Sequence, residues 1–114
     1  MDGVMGNRKW ITHATMPRII YTETAIADLV RLRDFLKTRS PEASKRAVSA
    51  IRKAHKNASF FPERFRPVPD LMHYREIIID FGSSGYIVRF RYEQGGDIHI
   101  VRIKHQLENE YPNQ

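Results

Sequence analysis

Tyr86-Ile87-Val88-Arg89-Phe90-Arg91-Tyr92, followed by Glu93-Gln94-Gly95-Gly96-Asp97 and Ile98-His99-Ile100-Val101-Arg102-Ile103-Lys104-His105, decides the fold. In the first segment Tyr86, Val88, Phe90 and Tyr92 alternate with Ile87, Arg89 and Arg91, the period of a half-buried strand. The Gly-Gly centre of the second marks a hairpin turn. In the third, strict alternation puts His99, Val101, Ile103 and His105 on one side and Ile98, Ile100, Arg102 and Lys104 on the other. Upstream, the continuous run Ile77-Ile78-Ile79 within residues 74–81 suits a central strand, and Gly82-Ser83-Ser84-Gly85 supplies the turn after it. Three consecutive strands joined by short turns form an antiparallel meander.

Before the meander, residues 60–71 contain Pro62, Pro67 and Pro69, which exclude regular structure there. Phe60, Phe61 and Phe65 in this loop are expected to cover one edge of the core. Earlier still, two amphipathic helices are legible. Thr22 caps the first, Glu23 favours its first turn, and Ala25, Ile26, Leu29, Leu32 and Leu36 recur at helical spacing, with Phe35 widening the stripe. Ser40-Pro41-Glu42 restarts the chain as a second helix: a cap, a proline at the first helical position, then an acid. Ala43, Ala47, Ile51, Ala54 and Ala58 give that helix a small-residue stripe for close packing on the first. Residues 18–22 read as a short opening strand. The predicted fold is α+β with element order β-α-α-β-β-β, a helical hairpin packed on one face of a mostly antiparallel four-stranded sheet. Residues 16–114 form its single domain, and residues 1–15, without periodicity, are expected to be a disordered or non-native extension.

The chain has 114 residues, a formal net charge of +6 and no cysteine, which excludes disulfides, thiolate nucleophiles and cysteine-held metal. No apolar run nears the ~20 residues that cross a bilayer, and a reducing cytoplasm fits the composition. The positive surplus suits a polyanion or an acidic protein partner. It concentrates between Arg31 and Arg66, where only Asp34, Glu42 and Glu63 oppose it. Walker loops, dinucleotide fingerprints and Gly-x-Ser-x-Gly elbows are missing, so no cofactor is expected. His13, His55, His73 and His99 lack metal-ligand spacing, so no metal site is expected either.

The candidate binding surface is Arg89, Arg91, Arg102 and Lys104, cations on a common sheet face that would hold phosphate or carboxylate, with Glu108 just beyond. Solubility alone also favours charge on exposed strands. Arg75, entering its strand beside Tyr74, either ties the preceding loop or serves a site. The His105 imidazole is a group suited to general acid–base work, or it holds Glu108 or a backbone carbonyl.

Several segments in order resemble one known family: Ile20-Tyr21-Thr22 leading to Ala25-Ile26-Ala27-Asp28-Leu29, then Ser40-Pro41-Glu42-Ala43, Phe61-Pro62-Glu63 and Tyr74-Arg75. They continue as Tyr86-Ile87-Val88-Arg89-Phe90-Arg91-Tyr92 and Ile103-Lys104-His105-Gln106-Leu107-Glu108. Together they are similar to the ParE/RelE superfamily of bacterial toxins, and more closely to its plasmid-stabilisation, ParE-like branch. The resemblance implies the toxin of a type II toxin–antitoxin pair, bound as a hetero-oligomer by an acidic antitoxin that folds on it. Members like ParE poison DNA gyrase, whereas members like RelE cut messenger RNA on the ribosome. For a cutter, Arg75, Arg89 and His105 would be the catalytic set, with Arg91, Lys104 and Tyr111 within the same repertoire. The ending His105-Gln106-Leu107-Glu108 lacks a dense Lys/Arg/Tyr tail, and Glu108 and Glu110 would repel phosphate. The resemblance therefore implies a non-enzymatic gyrase inhibitor first, a metal-independent endoribonuclease second, and a non-toxic binding module third.

Overall fold

The computed structural model describes residues 17–81, 84–106 and 108. The predicted extension over residues 1–15 lies outside the described residues, as do Gly82, Ser83, Leu107, Glu110 and Tyr111. In chain order the elements are β1 (Ile19–Tyr21), α1 (Glu23–Lys37), α2 (Pro41–Ala58), a 3₁₀ turn (Pro62–Arg64), β2 (Arg66–Pro67), β3 (Tyr74–Phe81), β4 (Ser84–Arg91) and β5 (Ile98–His105). The strands form one five-stranded sheet in the order β1-β5-β4-β3-β2, in which β1 runs parallel to β5 and the other pairs are antiparallel. The expected helical hairpin on a mostly antiparallel sheet is present. It gains a fifth strand because Pro62 and Pro67 occupy positions that tolerate proline. Pro62 fits the first position of a 3₁₀ turn, and Pro67 sits on the sheet's edge, where its missing N–H costs nothing.

Helix boundaries follow the caps. The Thr22 hydroxyl accepts from the Ala25 N–H at 3.1 Å while donating to the Ile100 carbonyl at 2.9 Å, so one side chain starts α1 and pins it to β5. Ser40 accepts from the Ala43 N–H at 3.2 Å, with Pro41 opening α2. Between the helices and the sheet lie Ala25, Leu32, Ala47, Ile51 and Ala58 against Ile77, Ile79, Tyr86, Val88, Phe90, Ile98, Ile100 and Ile103.

Strict alternation fails in β5. Phe90 faces Ile100, but Arg89 faces Arg102, so Val101 is an extra residue and the strand bulges. Ile98, Ile100 and Ile103 are thereby all buried, which an unbroken period of two forbids. After the bulge His105 lies opposite Tyr86 on the helix side, and its ring meets the Tyr86 ring edge-on at 5.4 Å. Other expectations are corrected by burial. Ile78 is exposed, so β3 is not apolar on both faces. Phe60 and Phe61 are exposed, leaving Phe65 to pack edge-on against Phe90 at 6.0 Å. Ile26 and Phe35 also face solvent at the margins of the α1 stripe. Ser84 and Gly85 already belong to β4 rather than to the turn, and a side chain at Gly85 would lie 1.9 Å from the Ile79 carbonyl oxygen.

Because β1 ends at Tyr21, no strand among the described residues pairs with the edge of β5 beyond Ile100. α1 supplies one with side chains. The buried Asp28 carboxylate accepts from the Ile103 N–H at 2.8 Å and from the Arg102 guanidinium at 2.9 and 3.2 Å. Arg31 donates to the Ile103 carbonyl at 3.3 Å and to Glu108 at 2.7 Å. Replacing Asp28 with Ala breaks its ion pair with Arg102 and removes the acceptor of the buried Ile103 N–H. Urea unfolding of Asp28→Ala is expected to show a loss of about 3 kcal/mol, well above the loss from Asp97→Ala at the exposed Arg18 pair; equal losses would overturn this account of the edge.

Candidate functional site

Register sorts the proposed site residues between two sheet faces. Arg89 lies opposite Glu76 on one neighbour strand and Arg102 on the other; Arg91 lies opposite Tyr74 and His99; Lys104 lies opposite Ile87. Arg89, Arg91, Arg102 and Lys104 therefore share the outer wall, the face turned away from the helices. Arg75 lies opposite the buried Phe90, and His105 opposite the buried Tyr86, so both belong to the helix side. The two are also separated from each other, by roughly 13 Å along the strands and about 10 Å across them. Thus Arg75, Arg89 and His105 are not brought together.

Each wall cation has an acceptor within the chain. Arg89 makes two hydrogen bonds to Glu76 at 2.9 and 3.1 Å, and Arg66 approaches the other oxygen of Glu76 at 2.9 Å. Burial works to raise the Glu76 carboxyl, but hydrogen bonds from Arg89 and Arg66 outweigh it and hold the group below its usual range. Arg91 pairs with Glu93, Arg102 with Asp28, and the Lys104 ammonium donates to the Glu108 carbonyl at 3.1 Å. Glu108 also accepts from the His105 backbone N–H at 2.9 Å. The expected contact between these two residues is thus made by His105's main chain. Arg75 donates to the Phe65 carbonyl at 2.7 Å, tying the loop before β3. Among the described residues no group of His, Asp and Glu is placed to hold a metal ion.

A family profile described as ParE toxin of the type II toxin–antitoxin system parDE matches residues 19–110. The chain belongs to the ParE/RelE toxin superfamily. Among its relatives in Caulobacter vibrioides, Toxin RelE2 is 32% identical over 90 residues, covering 79% of this chain and 96% of that protein. Toxin RelE1 is 34% identical over 90 residues, covering 79% and 94%. The solved chromosomal ParDE TA system from P. aeruginosa superposes with a TM-score of 0.67 at 23% identity, over 80% of this chain and 97% of that one, which speaks for the fold.

Two features of this ParE/RelE toxin escaped the sequence. The first is a row across the wall, Tyr74–Arg91–His99, at the end where Glu93 lies 4.0 Å from the His73 imidazole. His73 and nearby Asp70 both hold positive φ, 71° and 65°, a conformation unfavourable for residues with a Cβ. Period-two pairing of residues 91 and 99 across the Gly95-Gly96 turn was the available signal.

The second is His55, hidden among the alanines of α2. It is 1% exposed, its Nδ1 lies 2.8 Å from the Tyr21 hydroxyl, and its Nε2 is buried without a partner. Burial lowers its pKa to about 4 and pushes the Tyr21 phenol upward, the latter partly offset by nearby Arg52. An unfolded histidine titrates near 6.5, so below that pH the unfolded chain takes up the proton first. Stability conferred by neutral His55 is intact above pH ~6.5 and falls until pH ~4, by about 3 kcal/mol in all. Urea titrations across this window are expected to show that decline in the wild type and to lack it in His55→Phe. A parallel decline in both proteins would assign the effect elsewhere.

Proposed function

We propose that this toxin arrests growth by binding DNA gyrase rather than by cutting RNA, and that an acidic antitoxin holds it inactive. The observation carrying this reading is the separation of Arg75, Arg89 and His105. Transesterification at a 2′-hydroxyl needs a base, a charge at the phosphate and an acid for the leaving oxygen, all within hydrogen-bond reach of one substrate. Parity places Arg89 on one face and the other two on the reverse, where Arg75 is engaged by Phe65 and His105 packs on Tyr86. A docking poison requires only a surface. The outer wall offers exchangeable guanidinium groups, of which Arg91 is more open than Arg89 at 39% against 26% side-chain exposure.

One observation favours RNA cleavage as the second reading. Tyr74, Arg91 and His99 lie in one cross-strand row, with His73 reaching Glu93 beside them, so an imidazole, a guanidinium and a phenol share one end of the wall. A cutting site built on this scaffold would use that row and not His105.

Purified toxin is expected to block gyrase supercoiling at concentrations near those of the enzyme. Arg91→Glu should weaken the block by about tenfold, while His99→Ala and His105→Ala leave it unchanged. Untouched supercoiling, together with new cuts in ribosome-bound message that His99→Ala abolishes, would replace the first reading with the second. If neither target responds and expression without an antitoxin leaves growth unaffected, the protein is a binding module.

A further inference from the structure

Val68-Pro69-Asp70-Leu71-Met72-His73-Tyr74 joins β2 to β3, and its residues 69–73 are exposed without a break. Two hydrogen-bonded turns follow one another there. The Leu71 N–H donates to the Val68 carbonyl at 3.2 Å and the Tyr74 N–H to the Leu71 carbonyl at 3.2 Å. The third residue of each turn, Asp70 and then His73, has positive φ, the mark of a type II turn and a place that usually belongs to Gly. Val68 N–H to the Tyr74 carbonyl at 3.0 Å closes the base, and Tyr92 N–H to the His73 carbonyl at 2.9 Å ties the tip to β4. This costly, well-braced backbone holds Leu71 and Met72 out in water at 42% and 79% exposure, Met72 being the most open large apolar residue among those described.

We infer that Leu71 and Met72 are the apolar anchor of target docking: they enter a hydrophobic cleft on gyrase, while Arg91 meets a carboxylate at its rim. This deepens the gyrase reading and rests on it. Position supports the pairing. Tyr74 lies opposite Arg91, so Met72 is no farther than about 13 Å from Arg91, Cα to Cα, well inside one interface patch. Energetics supports it too. A rim of exchangeable charge steers encounter but holds weakly, whereas tight docking needs a few desolvated apolar groups beside it. A tip already braced by hydrogen bonds loses little freedom on binding, and the Met72 thioether adapts to an irregular cleft. The flanking chemistry selects a protein as occupant. Asp70 on the tip and Glu93 beside it would repel a phosphate backbone, which also offers Leu71 and Met72 nothing to bury against. Two apolar side chains next to an acid are too few to hold a membrane surface.

The test follows full-length toxin binding to immobilised gyrase holoenzyme, with association and dissociation rates read separately. Leu71→Ser with Met72→Ser is expected to speed dissociation by at least about tenfold and to leave association within about twofold. Arg91→Glu should instead slow association and flatten its dependence on salt. Met72→Leu is expected to keep wild-type rates. So is Phe61→Ser, which removes a comparably open apolar side chain, 72% exposed, outside the tip. The thermal midpoint of the double variant should match the wild type, since neither Leu71 nor Met72 belongs to the core. Wild-type dissociation from the double variant, or equal acceleration by Phe61→Ser, would overturn the anchor and leave the gyrase reading standing. Toxin dimers in sedimentation that the double variant abolishes would give the tip to a second copy and overturn the anchor as well. Wild-type toxin that does not bind gyrase at all removes both readings together.

Discussion

The Asp28 carboxylate, sealed between α1 and β5, is the contact on which the rest of the molecule depends. β1 is too short to pair with all of β5, and the bulge at Val101 displaces the strand just where that pairing stops. An open edge there would invite another chain. Asp28 closes it by accepting the Ile103 N–H, and Arg31 answers the Ile103 carbonyl, so a helix completes the sheet's edge. A buried carboxylate is tolerable only with a counter-charge, and Arg102 provides it. The same arginine is thereby drawn from the outer wall into the fold. Stability and recognition compete for one side chain, and stability holds it.

That competition recurs across the wall. Arg89 is held by Glu76, itself shared with Arg66, and Lys104 reaches the main chain at Glu108. A net charge of +6 therefore overstates what the sheet can offer to an incoming anion. On the sheet, acids from a neighbouring strand, a turn and α1 (Glu76, Glu93 and Asp28) pair with the arginines; on α2 the only acid is Glu42 in the first turn, where it answers the helix dipole. The distribution of ion pairs, more than the distribution of Lys and Arg, says where a charged partner gains most.

Much of this was legible in the chain. Thr22 and Ser40-Pro41 announce both helix starts because a cap is a local hydrogen bond written in adjacent residues. The Gly95-Gly96 turn and the alternation of residues 86–92 announce the hairpin for the same reason. The bulge was not legible as a motif, yet the pattern carried its trace: Ile98, Ile100 and Ile103 cannot share a face at period two, so either one was exposed or a residue was inserted. Asp28, Ser44 and His55 sit on apolar helix stripes and read as interruptions until the partner across space is known. Phe60 and Phe61 failed the opposite way, since hydrophobic character in a loop sets no direction for the side chain. Local chemistry is readable; long-range pairing is not.

Strand parity explains why family membership leaves the target to finer features. Two residues close to one another in the sheet can be unreachable by one ligand if they differ by one step in register, as Arg89 and Arg75 do through their partners Glu76 and Phe90. An anion arriving on the wall meets Arg89, Arg91 and His99, never Arg75 or His105. Of these, Arg89 is costly to engage, because Glu76 is only 12% exposed and would be left partly desolvated by the loss of its guanidinium. Arg91 and Glu93 are both open to water, so exchange of partners there costs little. Recognition on this wall should therefore begin at the Arg91 end, where Tyr74 and His99 flank the same guanidinium, and whether the outcome is docking or cleavage turns on what those two side chains do to the bound group.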